Sequence, residues 1–125
     1  MQFTQILTSL GASVLIFSFM NPALGQTNTP NKGDEVILEM NQAFKKNDKN
    51  QLSRLLPRAK GHVLESWAAY WELRVRLDQA SDTEIQQFLT QYAGTYAEDR
   101  LRNDWLLQLG RQREWATFAQ EYPRF

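Results

Sequence analysis

The side chains that could carry chemistry in this 125-residue sequence are a single histidine and 14 acidic residues, and the chain contains no cysteine. His62 has no second histidine or cysteine as a companion, so it cannot complete a usual zinc site or a nucleophilic pair. One or two carboxylates in a cleft are enough to cleave a glycosidic bond. Six acidic residues lie beside apolar rows or helix ends, namely Glu39, Glu65, Glu72, Asp78, Asp99 and Asp104. Solvated helix faces and helix-end charges explain these positions, so we assign no catalytic, cofactor-binding or metal-binding residue.

The composition limits the class of protein and of partner. Fourteen basic residues balance the 14 acidic ones, which argues against a nucleic-acid partner held by phosphate contacts. The absence of cysteine excludes a disulfide framework and a thiolate metal site. The charge is nevertheless uneven, because residues 45–76 carry eight basic and three acidic side chains. A basic stretch beside tryptophans would attract an anionic glycan or a partner protein. A solvated helix face, with the tryptophans in the core, is the simpler interpretation.

The first 25 residues contain no charged side chain and differ from the rest of the chain. An apolar stretch runs from Ile6 to Met20, and it is shorter than the roughly 20 residues that a membrane span needs. It is followed by Ala23-Leu24-Gly25, which has the small residues of a signal-peptidase site. We therefore predict a secretory signal peptide over 1–25, cleaved between Gly25 and Gln26, with an uncleaved anchor as the alternative. The exported chain would have no membrane attachment, and 26–33 would be a flexible leader.

From residue 34 to 125 the apolar residues follow a helical period, and no alternating strand pattern is present. The predicted class is therefore all-α. Helices are expected over 34–47, 48–60 with a kink or early stop at Pro57, 63–79, two segments that open at Ser81 and Thr95, and 114–122. Ser81-x-x-Glu84 and Thr95-x-x-Glu98 have the sequence of capping boxes. Gly110 is expected to end the fifth helix in the left-handed conformation.

The even-numbered helices share one apolar spacing. It begins at Leu52, Ile85 and Trp115, which are 33 and 30 residues apart. Such a period is typical of antiparallel helical hairpins stacked as a TPR-like superhelix. An ordinary helical bundle fits the periodicity nearly as well. In a superhelix the chain would be incomplete at its C-terminal end, and Trp115 and Phe118 would be exposed on the last helix.

One block of residues is specific enough to suggest a family. The run Arg102-x-x-Trp105-Leu-x-x-Leu-Gly110 with the downstream Trp115-x-x-Phe118-x-x-x-Tyr122 resembles the helical N-terminal region of soluble lytic murein transglycosylases. The segments around Trp67-x-x-x-Trp71 and Phe88-x-x-x-Tyr92 fit the same region in the same order. The residues expected to have a structural role are Trp67, Trp71, Trp105, Gly110, Trp115, Phe118 and Tyr122.

The resemblance implies a periplasmic protein that acts on peptidoglycan through the full-length enzyme. In that family a separate downstream domain cleaves the bond between N-acetylmuramic acid and N-acetylglucosamine. Its signature begins with Glu-Ser and continues to Gly-Leu-Met-Gln, whereas Glu65-Ser66 here is followed by Trp67-Ala68-Ala69. No catalytic residue of the family therefore carries over, and no cofactor is implied. The alternative is a stand-alone exported helical-repeat module that binds protein partners.

Overall fold

The computed structural model describes residues 31–125, and every regular element in this range is helical, as the sequence predicts. The elements are α1 (Lys32–Lys45), α2 (Lys49–Leu55), a 3-10 turn (Leu56–Ala59), α3 (Glu65–Val75), α4 (Asp82–Gln91), α5 (Tyr96–Gln112), α6 (Trp115–Glu121) and a second 3-10 turn (Tyr122–Arg124). No helix in this range is long and apolar enough to cross a membrane. The predicted signal peptide, its cleavage site at Gly25 and Gln26, and most of the leader lie outside the described residues.

Local sequence signals set several helix boundaries. Pro57 falls in the 3-10 turn that follows α2, so the predicted early stop of that helix is confirmed. The hydroxyl oxygen of Ser81 accepts a hydrogen bond from the backbone N–H of Glu84 (3.2 Å), and Thr95 does the same for Glu98 (3.3 Å). These bonds satisfy amide donors that a helix leaves free at its start. The two helices therefore begin where the sequence predicts.

The reciprocal half of each predicted capping box is not formed. The Glu84 carboxylate pairs with Arg76 of α3, and the Glu98 carboxylate accepts the backbone N–H of Gly94 (2.6 Å) and of no cap residue. The Glu84 carboxylate thus joins α4 to Arg76 at the end of α3, and the Glu98 carboxylate joins α5 to the turn before it.

The predicted boundaries of three helices were wrong. Gly110 does not end α5, because the helix continues to Gln112 and Arg113 takes the left-handed conformation at φ 61°. The backbone N–H of Glu114 reaches the carbonyl of Leu109 (2.9 Å) across this turn and satisfies it without a glycine. The first helix begins at Lys32, inside the predicted leader, and α3 is shorter at both ends than the predicted 63–79.

The odd-numbered helices pack in series, α1 against α3 and α3 against α5. The even-numbered helices lie against this row: α2 contacts α1 and α3, whereas α4 and α6 contact α5. One apolar cluster, with Met40 and Leu52 at its centre, joins α1, α2 and α3, and a second, centred on Ile85 and Trp105, joins α3, α4 and α5. Helix α3 contributes to both clusters, as its two apolar rows in the sequence require.

Candidate functional site

Four aromatic side chains form a row across one face of the odd-numbered helices. Phe44 of α1, Trp71 and Trp67 of α3, and Tyr96 at the start of α5 follow one another with ring centroids 6.2, 6.4 and 5.8 Å apart. Trp67 and Trp71 share a face because they are four residues apart on a helix. The first three rings are partly buried and pack against the two apolar clusters, whereas Tyr96 is 65% exposed.

An arginine pocket of about 320 Å³ adjoins the aromatic row. Its charged groups are Arg74 of α3 and Arg100 and Asp104 of α5. The Asp104 carboxylate accepts a hydrogen bond from the Tyr70 hydroxyl (2.6 Å) and lies 3.0 Å from Nε of Arg74. Burial and the hydrogen bond to Asp104 raise the pKa of Tyr70, so its phenol stays protonated and donating. One carboxylate therefore faces two guanidinium groups, and the pocket is positive.

A groove of about 420 Å³ lies on another side of α3, between the first 3-10 turn and α4. Its charged groups include Glu72, Arg76 and Glu84. Nε and Nη2 of Arg76 bind Glu72 at 2.6 and 2.9 Å, and Nη2 also binds Glu84 at 2.5 Å. Ser53 donates a further hydrogen bond to Glu72 (3.1 Å). The Arg76 guanidinium lowers the pKa of Glu84, so this carboxyl is held ionised.

The carboxyl groups whose pKa is shifted in the described residues do not suit acid catalysis. A general acid for glycosidic cleavage needs a raised pKa, whereas the shifted carboxyl groups of the described residues, Asp34, Glu84 and Glu98, all have lowered values. Glu65, at the other end of the groove, accepts hydrogen bonds from the backbone N–H of Gly61 (2.7 Å) and from the Tyr92 hydroxyl (3.3 Å). These residues act in the structure as helix-to-helix contacts.

His62 also makes structural contacts. Its Nδ1 accepts the backbone N–H of Leu64 (3.0 Å), so Nε2 carries the proton that is donated to Asp34 (2.8 Å). This hydrogen bond lowers the pKa of Asp34 and joins the start of α1 to the segment before α3. Within residues 31–125, no group of three or more histidine, aspartate and glutamate side chains is arranged to hold a metal ion.

The predicted structural residues fall into three environments. Trp105 is 1% exposed in the core, whereas Trp67 and Trp71 lie half-buried in the aromatic row. Trp115 and Phe118 of α6 and Tyr122 of the second 3-10 turn form a C-terminal aromatic patch, with ring centroids 6.0 and 5.7 Å apart along the series. Trp115 is 57% and Tyr122 is 60% exposed, while Phe118 packs against the core. Trp115 is therefore exposed as expected, whereas the expected exposure of Phe118 was wrong because its ring packs against the second apolar cluster. Gly110 lies inside α5 without the expected role.

Several residues of the aromatic row and arginine pocket were not singled out from the sequence. Phe44 and Tyr96 join the row only through the packing of α1 and α5 against α3. Arg74 was part of the basic stretch, and Asp104 was placed among solvated carboxylates. The four-residue spacing of Tyr96 and Arg100 is a signal that they share a helix face.

No protein-family model, curated protein or solved structure matches this chain. Three structural features therefore bear on function: the aromatic row with its arginine pocket, the charged groove, and the C-terminal aromatic patch.

Proposed function

We propose that this chain is the helical-repeat scaffold of a periplasmic lytic transglycosylase that acts on peptidoglycan. The glycosidic bond is cleaved by a downstream domain outside this sequence, and the chain is exported by the signal peptide over 1–25. The resemblance of the Arg102–Tyr122 run is one support. The serial packing of α1, α3 and α5 is the other, because the first helices of stacked hairpins lie in such a row. Helices α1 and α2, and α5 and α6, pack as hairpin pairs, whereas α4 packs mainly against α5.

The observation that carries the proposal is the C-terminal aromatic patch. In a stacked array each hairpin buries its second apolar face only against the next unit. Trp105 of α5 is covered by its neighbours, whereas Trp115 of α6 and Tyr122 directly after it present more than half of their surface to water. An apolar surface of this kind is a docking surface for a further helical unit.

The ion pairs that the buried carboxylates make with arginines agree with a scaffold role. Glu72 is bound by Arg76, and Glu121 is bound by Arg102 at 2.6 Å. Both carboxylates are engaged in contacts that hold the helices together. Catalysis in the proposed enzyme is therefore assigned to the downstream domain.

A second candidate function is a stand-alone exported module that binds protein partners. The same aromatic patch favours it, since a large exposed apolar surface fits a protein interface as well as a further repeat. The two candidates differ in whether the encoded polypeptide continues beyond Phe125 into further repeats and a catalytic domain.

Reading the encoding DNA beyond Phe125 tests the proposal directly. Continued helical repeats, followed by a Glu-Ser and then a Gly-Leu-Met-Gln block, are expected for the transglycosylase scaffold. A stop codon directly after Phe125 would overturn it in favour of the interaction module. Purified chain incubated with isolated peptidoglycan is expected to release no 1,6-anhydromuramyl product, and release would show that the chain itself carries catalysis.

A further inference from the structure

We propose that the C-terminal aromatic patch docks on the acidic face of α1 (Glu35, Leu38 and Glu39) in a second copy of the chain, so that copies join head to tail. The inference rests on the proposed function for the docking role of the patch, and it names a second copy as the occupant. Among the described residues, α1 packs with α2 and α3 at one end of the helix series, and α6 packs with α5 at the other. The two surfaces therefore meet only between molecules.

The acidic face of α1 combines an apolar side chain with carboxylates. Leu38 is 65% exposed, although the opposite side of the same helix, with Met40 at its centre, is buried. Glu35 lies one helical turn before Leu38 and Glu39 directly follows it, and both carboxylates are exposed. Residues 34–44 contain three acidic and no basic side chains. This face can therefore receive an apolar partner whose surroundings are positive.

The surroundings of the C-terminal aromatic patch have that charge. Three exposed arginines flank the patch along the chain, namely Arg111, Arg113 and Arg124. Glu114 is the one exposed acidic side chain among residues 110–125. In the part of the chain that the structure describes, no ion pair involves Arg111 or Arg113. These guanidinium groups can therefore pair with carboxylates of another molecule.

Charge decides between two ways of joining copies through the patch. If two patches met about a two-fold axis, the arginines of both copies would face each other, and like charges across an interface oppose binding. In the head-to-tail arrangement the arginines meet Glu35 and Glu39 while the aromatic rings cover Leu38. The row of α1, α3 and α5 also continues into α1 of the second copy, because α1 turns its exposed face away from α3.

A head-to-tail contact leaves one surface of each kind exposed at the ends of every assembly. Such a heterologous contact produces open chains of copies, unless its rotation closes a ring. The mean size of the assembly should therefore rise with protein concentration.

Two variants of the purified chain, each blocked at one end, test the contact by sedimentation velocity. Leu38→Arg places a positive charge where the arginines dock, and the double substitution Trp115→Gln Tyr122→Gln removes the exposed rings. Each variant alone is expected to associate at least about tenfold more weakly than wild type, as for the loss of a central interface contact. An equimolar mixture should form dimers and nothing larger, since the patch of the first variant docks on α1 of the second and both remaining ends are blocked.

Matched controls separate this contact from general effects of charge and folding. Val63→Arg adds the same charge at an apolar side chain that is 89% exposed outside α1, and it should associate as wild type does. Circular dichroism checks that each variant keeps its helix content, and Glu39→Lys is a second variant that blocks the acidic face. Raising the salt concentration from about 0.05 M to about 0.5 M should weaken wild-type association by screening, whereas it would strengthen pairing of two arginine-flanked patches.

Three results would overturn the assignment. A wild-type chain that is monomeric at every concentration would exclude the contact. Association of folded Leu38→Arg and Glu39→Lys as tight as that of wild type would assign the contact to two patches instead. A mixture of the two blocked variants that forms no dimers would exclude the head-to-tail arrangement. None of these results decides what is encoded beyond Phe125, so the proposed function is tested separately.

Discussion

The guanidinium of Arg102 and the carboxylate of Glu121, both almost fully buried, lie 2.6 Å apart and join α5 to α6. Glu98 of the preceding helical turn shares the guanidinium at 3.0 Å, and Gln86 of α4 donates to the other oxygen of Glu121 at 2.6 Å. This network of hydrogen bonds and ion pairs links α4, α5 and α6 at the base of the C-terminal aromatic patch.

Breaking this buried ion pair should destabilise the fold. Glu121→Ala leaves the Arg102 charge buried with one partner fewer, and the free energy of unfolding is expected to fall by about 3 kcal/mol. Urea denaturation followed by circular dichroism measures the change. Gln120→Ala, an exposed neighbour on α6, should change it by less than about 0.5 kcal/mol. The double variant Arg102→Met Glu121→Leu should recover most of the loss, and equal losses in Glu121→Ala and Gln120→Ala would contradict a stabilising pair.

Replacing either of two glycines by alanine should change the free energy of unfolding, with opposite signs at the two positions. Gly110 lies inside α5, where an added Cβ meets nothing within 4 Å, so Gly110→Ala should raise the free energy of unfolding by about 0.5–1 kcal/mol. Gly94 has φ +79°, which strains any L side chain, so Gly94→Ala should lower it by about 1 kcal/mol. Chemical denaturation of both variants measures the sign of each change in the free energy of unfolding. A loss of stability in Gly110→Ala would mean that this glycine has a role the helix geometry does not reveal.

Stability should decline in acid because of two glutamates with lowered pKa values. Arg76 lowers the pKa of Glu84, and the backbone N–H of Gly94 lowers that of Glu98 below the ordinary 4.5. A lowered folded-state pKa gives stability that is present above the unfolded value and is lost as the pH falls through the folded value. Unfolding free energies measured between about pH 6 and about pH 3 should therefore decrease toward acid.

Glu98→Gln is the variant that isolates one of these groups. It should flatten the acid decline, whereas Glu114→Gln, which removes an exposed carboxyl before α6, should keep the wild-type slope. The same decline in wild type and Glu98→Gln would show that this hydrogen-bonded carboxylate does not contribute to it.

The C-terminal aromatic patch should make the isolated chain self-associate. The double substitution Trp115→Gln Tyr122→Gln removes its two most exposed rings and should shift the sedimentation coefficient toward that of a monomer at high protein concentration. Val63→Gln removes an isolated apolar side chain that is 89% exposed and should not reduce association. A concentration series by sedimentation velocity compares the three proteins, and a monomeric wild type at every concentration would contradict the expectation.

Features that depend on a few neighbouring residues were predictable from the sequence. The hydroxyl caps at Ser81 and Thr95 and the stop at Pro57 are local, since each involves atoms within one helical turn. The end of α5 was predicted wrongly at Gly110 because that prediction also used only the local sequence. Glycine permits the left-handed conformation without requiring it, and the carbonyls of Gly110 and Leu109 accept the backbone N–H groups of Arg113 and Glu114.

The candidate site was predictable only in part. Trp67 and Trp71 share a helix face by spacing alone, and the basic stretch that contains Arg74 was visible in the charge distribution. Tyr96 comes within 5.8 Å of Trp67 only because α5 packs against α3, and no local rule fixes that contact. The ion pairs of Arg102 differ in the same way. The pair with Glu98 follows from their four-residue spacing on one helix, whereas the pair with Glu121 depends on the packing of another helix.

The contrast between Trp105 and Trp115 gives the protein two separate optical reporters. Indole fluorescence shifts to longer wavelengths when the ring is hydrated, so the sealed ring of Trp105 emits toward the blue and the open ring of Trp115 toward the red. A soluble quencher such as iodide reaches the second and not the first. With Trp67 and Trp71 replaced by phenylalanine, loss of quenching would record a molecule binding at α6, while a red shift of the protected component would record unfolding of the core.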